Sequence, residues 1–258
     1  MVATGLASER RFGGVARLYG EAAALRIAAS HVCVVGIGGV GSWAAEALAR
    51  SAVGAITLID LDHVSESNTN RQIHALEGEF GRAKVIAMAA RILAINPACR
   101  VQAIEDFVGA DNVATLLPAC DAVLDAIDNV RAKAALIAHC RRAGVAVITT
   151  GGAGGRRDPT RIAVADLSRT TEDPLASKVR AKLRKEYAFP RDPKKKFGVD
   201  CVYSVEAIQR PQAAACAVDE RGLQGLNCAG YGSAVTVTAA FGLVAAARVL
   251  EKLAGSTG

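Results

Sequence analysis

Short apolar runs alternate with longer amphipathic stretches along the first 150 positions. Residues 31–35, 55–59, 101–104, 122–124 and 145–149 are apolar runs, and their shortness and β-branched content predict strands buried on both faces. Between them, 40–51, 82–94 and 131–142 carry apolar residues at helical spacing. Asn96-Pro97 stops the second of these and Gly144 the third. Upstream, 9–29 places Arg10, Arg11, Arg17 and Arg26 among small apolar residues, which predicts an arm and a short helix. Strand–helix alternation at this spacing predicts an α/β fold: a doubly wound, mostly parallel Rossmann-like sheet.

The pattern changes after position 150. Gly151-Gly-Ala-Gly-Gly predicts a mobile connector. Residues 161–167 and 199–206 predict two more strands, 173–187 a basic helix, and 188–198 a flexible loop. From 222 to 247 there is no charged residue, a run long enough to cross a bilayer. It nevertheless contains Gln224, Asn227 and five glycines. The expectation is therefore a C-terminal apolar helix (231–253) packed on the sheet; peripheral or C-terminal membrane association is the lesser alternative. The organisation expected is a nucleotide-binding part (9–150) and a C-terminal extension (151–258) that completes the sheet, with a basic flexible segment at 178–198. The two parts are expected to form one structural unit.

Composition narrows the classes. A chain of 258 residues can bury a full core. No leader-like apolar segment opens it, and its seven cysteines include no CxxC pair. That argues for reduced thiols in a cytoplasmic protein, with neither a disulfide framework nor a zinc ribbon. The net charge of +6 is concentrated: residues 178–196 hold nine Lys and Arg against Glu186 and Asp192, so the rest of the chain is close to neutral. Such a cluster suits a polyanion such as RNA, or else is a solvated helix face with a loop.

Gly36, Gly38 and Gly41 form GxGxxG between a predicted strand and a predicted helix, with Gly39 inside the turn. The first glycine permits the tight turn, the second lets phosphate approach the backbone, and the third lets helix and strand pack. Asp60 ends the second strand, where a carboxylate can accept both ribose hydroxyls. Alone, this pattern predicts NAD or FAD. The next segment argues otherwise. Asp62, Asn68, Asn70, Arg71 and Gln72 crowd one loop, Lys84 follows, and Asp125-Ala-Ile-Asp128-Asn129 closes a later strand. A triphosphate needs Arg, Lys and Mg2+ together where a dinucleotide does not. Arg71 and Lys84 are the candidate cations and Asp128 the candidate metal ligand. The competing readings are a loop salt bridge for Arg71, a solvated helix residue for Lys84 and a helix N-cap for Asp128.

These motifs, in this order, resemble those of the adenylating family that comprises the ubiquitin-activating enzymes and their bacterial relatives of molybdopterin and thiamine synthesis. The resemblance spans roughly residues 11–150. It implies that Gly36, Gly38, Gly39, Gly41, Asp60, Asp62, Asn68, Gln72 and Asn129 surround ATP. It also implies that Arg71 and Lys84 contact phosphates, that Asp128 binds Mg2+, and that the chain is a homodimer. An N-terminal arginine, Arg17 before Arg11, would reach the partner's ATP. A narrower likeness runs nearly end to end, through Arg11-Phe-Gly-Gly, Asn68-Thr-Asn-Arg-Gln-Ile-His, Thr149-Thr-Gly-Gly-Ala-Gly-Gly, Asp173-Pro-Leu-Ala and Gly198-Val-Asp-Cys-Val-Tyr-Ser. These are similar to the tRNA threonylcarbamoyladenosine dehydratases, which implies ATP-dependent cyclisation of a modified adenosine in tRNA. The paired zinc cysteines of sulfur-carrier activators are absent. Adenylation of a sulfur carrier protein stays as the alternative, with an NAD oxidoreductase and a membrane-associated scaffold behind it. Cys201 and Cys228 are possible thiol nucleophiles, though burial is the commoner fate of such residues. A monovalent cation and a cysteine desulfurase or other sulfur-acceptor partner are left open.

Overall fold

The computed structural model describes residues 2–209 and 231–255. Two helices, α1 (Val2–Tyr19) and α2 (Glu21–Ala29), lead into β1 (His31–Val35), α3 (Gly41–Arg50), β2 (Ala55–Ile59), α4 (Lys84–Ile95) and β3 (Arg100–Ile104). Then come α5 (Val113–Leu116), β4 (Ala122–Asp125), α6 (Val130–Ala143), β5 (Ala146–Thr150), β6 (Ile162–Asp166), α7 (Pro174–Glu186), β7 (Asp200–Ser204) and α8 (Val235–Ala254). The strands form one seven-stranded sheet in the order β3-β2-β1-β4-β5-β7-β6. All pairs are parallel except β6 with β7. The α/β, doubly wound reading holds, and strands from both halves of the chain share the sheet.

Alternation along the strands divides the core. Val32 and Val34 of β1 point to one face, with Ile56, Leu58 and residues of α3, α4 and α8. Cys33 and Val35 point to the other, with Val123, Leu136, Ile137 of α6 and Val179, Leu183 of α7. Helices cover both faces, which is why the central strands β1, β2, β4 and β5 are buried at nearly every position. Helix α8 packs closely on α3: a Cβ on Gly242 would lie 2.4 Å from the Val40 carbonyl oxygen. Among the described residues no helix is long and apolar enough to cross a membrane. Residues 222–230 of the uncharged run lie outside the described residues.

Three expectations are corrected. The arm is helical, because α1 and α2 place Val15, Tyr19, Ala23 and Ile27 against the core. The glycine-rich stretch after β5 is clamped. Asp173 accepts the Gly152 N–H at 2.9 Å, and the buried Arg156 donates to the carbonyls of Gly152, Glu172 and Glu206. Residues 188–198 are likewise anchored rather than loose. The Asp166 carboxylate accepts N–H groups from Phe197, Gly198 and Val199. Against the raising effect of burial, hydrogen bonds from Ser168, Phe197 and Gly198 hold its pKa below the usual carboxylate range. Phe197 is buried edge-on against Phe189, with Arg184 over its ring.

Candidate active site

Strand order reverses between β1 and β4: the chain leaves β1 toward β2 and later returns to β4 on its other side. Their carboxyl ends therefore part and leave a crevice, the usual ligand position in an open parallel sheet. A cleft of about 950 Å3 lies there. The glycine turn after β1 forms one wall and residues 126–129 after β4 form another.

The turn is built by close approach. Gly36 has φ +87°, and a Cβ on it would lie 2.9 Å from the Ala126 carbonyl oxygen. A Cβ on Gly41 would lie 1.8 Å from the Gly36 oxygen, so only glycine lets α3 start here. Gly36, Gly38 and Gly39 line the cleft, whereas Gly41 supports the turn from behind. Among the described residues, the N–H groups of Gly38, Gly39 and Val40 meet no internal acceptor. Together with the start of α3 they form a cradle for an anion.

Asp60 stands at the end of β2. Its carboxylate accepts the Ile37 N–H at 2.5 Å and the Asp62 N–H at 2.8 Å. Burial raises its pKa, while Lys84 and those two N–H groups pull the other way. Lys84 opens α4 and is only 6% exposed, so it is no solvated helix residue. Its Nζ reaches Asp62 Oδ2 at 2.7 Å, at the cleft wall. Arg71 lies across Gly39 and donates to the Ser67 carbonyl at 2.8 Å and to Asn70 Oδ1 at 2.9 Å. No carboxylate among the described residues pairs with it, which removes the loop salt bridge, and partial burial lowers its pKa. Trp43 fixes the loop by donating to the Arg71 carbonyl at 3.0 Å. Asn68 is buried and folds back on Ser65, while Gln72 is buried with Oε1 unpartnered.

On the opposite wall, Asn129 is the N-cap of α6, accepting from the N–H groups of Arg131 and Ala132. Asp128 is therefore not the cap. It is exposed, lines the cleft and has no hydrogen-bond partner among the described residues. Sequence reasoning missed what holds this wall. Lys133, 1% exposed, donates to Asp125 Oδ2 at 2.8 Å and to Thr149 Oγ1 at 3.0 Å. Thr149 also donates to Asp125 at 2.6 Å. A lone lysine on the apolar face of a predicted helix was the available signal.

Other candidates fall elsewhere. Arg17 and Arg11 are exposed on α1 and do not line the cleft; Arg11 donates to the Ile95 carbonyl at 2.9 Å. Cys201 is wholly buried in β7, and burial pushes its thiol far up, which rules it out as a nucleophile. Burial also raises Cys99 to about 11 and Cys140 to about 12. Cys216 and Cys228 lie outside the described residues. Among the described residues no group of three or more His, Cys, Asp or Glu could hold a metal.

The chain is similar to known proteins over nearly its whole length. The model of the ThiF family matches residues 13–258. The tRNA threonylcarbamoyladenosine dehydratase of Escherichia coli (strain K12) is 54% identical over 250 residues, covering 95% of this chain and 93% of its own length. A crystal structure of the E. coli enzyme in complex with ATP is similar with a TM-score of 0.87 and 53% identity, covering 96% of this chain and 95% of that one. A second crystal structure, in complex with AMP, matches with the same values.

Proposed function

Because the chain belongs to the ThiF family, we propose that it is an ATP-dependent tRNA threonylcarbamoyladenosine dehydratase. The observation that carries this is one cleft holding three features together: the open N–H groups of the glycine turn, the cations Arg71 and Lys84, and the unpartnered Asp128. The ATP and AMP complexes of the E. coli relative support an adenine nucleotide as the ligand.

In this reading ATP lies with its ribose on Asp60 and its phosphates along Gly36–Gly39. The threonyl carboxylate of the modified tRNA attacks the α-phosphorus, pyrophosphate leaves, and a mixed acyl-adenylate forms. Arg71 and Lys84 offset the charge that develops on the phosphate oxygens. The neighbouring ureido nitrogen then attacks the activated carbonyl. The C–N bond forms, the bond to AMP breaks, and the nitrogen loses its proton. Ring closure is intramolecular, so positioning supplies much of the rate and no protein nucleophile is needed. The buried state of Cys201 fits that.

Asp128 suits a magnesium ion. Mg2+ is commonly held by one or two carboxylates together with substrate phosphates and water, and Asp128 is a free carboxylate at the cleft wall. Bound there, the ion would add positive charge beside the phosphates. The buried Lys133–Asp125–Thr149 network keeps the strand end that bears Asp128 in place.

The 9–150 part supplies the nucleotide half of the site, and the 151–258 part supplies the acceptor half and the RNA-facing surface. Lys194, Lys195 and Lys196 are exposed on a loop anchored at Asp166, ready to meet phosphates of a tRNA stem. The protein acts as a cytoplasmic homodimer, with Arg17 of one protomer offered to the cleft of the other.

The test is mass spectrometry of nucleosides from tRNA bearing threonylcarbamoyladenosine, incubated with the protein and Mg-ATP. The expected result is loss of one water from that nucleoside. The loss is absent without ATP and absent with Arg71→Ala. An unchanged nucleoside, together with ATP–pyrophosphate exchange that needs a carrier protein, would overturn the proposal in favour of sulfur-carrier adenylation.

A further inference from the structure

A second cavity of about 310 Å3 opens beside the cleft. Glu172, Asp173, Pro174, Ser177, Arg180 and Ile208 line it, and Asp173, Pro174 and Ile208 line the main cleft as well. The two spaces are therefore contiguous. The smaller lies on the β5 side of the site, because Asp173 is the residue that clamps Gly152 just after β5. Asp60, the glycine turn and Lys84 lie on the β1–β2 side.

The side chains of this cavity are unequally engaged. Asp173 is committed, since Oδ2 accepts from Gly152 and Oδ1 accepts from Ala176 at the start of α7. Glu172 has φ +52°, unusual for a residue with a side chain, and Arg156 holds it there through its carbonyl. Its carboxylate is exposed and has no partner among the described residues. Arg180 is half-buried and, among the described residues, donates only to the Thr170 hydroxyl. The other cations of α7 are either exposed or engaged. Lys182 pairs with Glu186, and Arg184 donates to the Pro190 carbonyl and covers Phe197. Arg180 is thus a half-buried guanidinium, without a carboxylate partner among the described residues, at the rim of a cavity that joins the nucleotide cleft. Burial lowers its pKa, and the nearby Arg184 adds to that.

We propose that this cavity receives the modified nucleotide of the RNA, and that Arg180 pairs with a backbone phosphate beside it. This rests on the RNA reading above. ATP, held between Asp60 and the glycine turn, occupies the β1–β2 side, so the acceptor must enter from the β5 side. Its threonyl carboxylate has to reach the α-phosphorus of ATP and cannot stay on Arg180. The anion left for the guanidinium is the phosphodiester. A volume of about 310 Å3 lies at the lower end of the range for small-ligand cavities. Arg180 acts on acceptor binding, while Arg71 and Lys84 act on ATP.

The test uses the full-length protein and an anticodon stem-loop RNA bearing the modification, with ATP affinity measured in parallel. Arg180→Ala raises the KM for RNA by about tenfold or more, the cost of one charge-assisted contact, and leaves ATP affinity unchanged. The slope of log affinity against log salt falls by about 1, the signature of one lost phosphate contact. Arg180→Lys restores part of the loss. Thr170→Val, which keeps the guanidinium and removes its internal hydrogen bond, stays near the wild-type KM. The proposal is overturned if Arg180→Ala leaves the KM for RNA unchanged, or if Thr170→Val reproduces its defect. A raised KM with an unchanged salt slope would put the substrate carboxylate on Arg180 and sink the phosphate assignment. Wild-type protein that does not act on the RNA at all would instead remove the underlying dehydratase reading.

Discussion

The chain contains two glycine-rich turns at the carboxyl ends of neighbouring parts of one sheet, Gly36–Gly41 after β1 and Gly151–Gly155 after β5, and their backbones are used in opposite ways. The first turn lines the cleft and leaves the N–H groups of Gly38, Gly39 and Val40 without acceptors among the described residues. The second is tied into the protein. The Gly152 N–H goes to Asp173 and its carbonyl to Arg156, while the Gly155 N–H goes to Gly232 and its carbonyl to Gln209. One turn leaves its backbone donors open and the other commits them within the protein. Glycine count alone does not separate them; the destination of each backbone hydrogen bond does.

That contrast can be broken chemically. The largest effect is expected at the first turn's cations. Lys84→Ala removes a buried positive charge from the nucleotide side and lowers kcat by about 100- to 1,000-fold, in line with loss of a preorganised charge-stabilising group. AMP release would measure it, and RNA affinity should be unchanged.

Next comes acid sensitivity near Lys84. His74 is 2% exposed with both ring nitrogens unpartnered among the described residues, and burial together with Lys84 and Arg91 lowers its pKa from 6.5 to about 4. The folded state therefore binds fewer protons than the unfolded one between those values. Its contribution is fully present above pH 6.5 and is lost as pH falls toward 4, amounting to about 3 kcal/mol at most. As pH falls through that window, thermal melts should show wild type losing stability relative to His74→Asn. Parallel melts would contradict the assignment.

The glycines themselves sharpen the comparison. Gly41→Ala puts a Cβ 1.8 Å from the Gly36 carbonyl oxygen, and Gly151→Ala puts one 1.9 Å from the clamped Asp173 carboxylate. Each should cost about 2–3 kcal/mol by overpacking. Gly154→Ala meets nothing among the described residues nearer than 3.6 Å and should be close to neutral in a denaturant titration. Equal losses at Gly151 and Gly154 would mean the second turn is not clamped as described.

The smallest effect per residue lies on the exposed surface. Changing Lys194, Lys195 and Lys196 together to Ala should weaken RNA binding similarly for all sequences and lower the salt slope by up to about 3, with ATP affinity intact. Filter binding at several salt concentrations would show it.

Legibility in the sequence followed the same division. The strands of the first half and the residues Asp60, Arg71 and Lys84 were readable because short apolar runs, a GxGxxG turn and a cluster of cations are local signals. In the second half the elements were readable too, since the runs 161–167, 173–187 and 199–206 become β6, α7 and β7. The fixed shape of the segments between them was not, because their order comes from distant pairs. Asp173 fixes Gly152, Arg156 ties together carbonyls at 152, 172 and 206, and Asp166 gathers the N–H groups of 197–199. Composition therefore suggested mobility where long-range hydrogen bonds impose a fixed shape. Asn129 and Asp128 show the limit at single-residue scale. Either could cap α6, and only the geometry shows that Asn129 does, leaving Asp128 free.

The most direct measurement follows one oxygen atom. Substrate tRNA whose threonyl carboxylate is labelled with heavy oxygen is converted by the protein with ATP, and the nucleotide and phosphate products are weighed. An acyl-adenylate transfers one labelled oxygen to AMP, and that is the result expected from a cleft that sets Arg71, Lys84 and Asp128 around the phosphates. Label found in inorganic phosphate, with ADP as the nucleotide product, would contradict it.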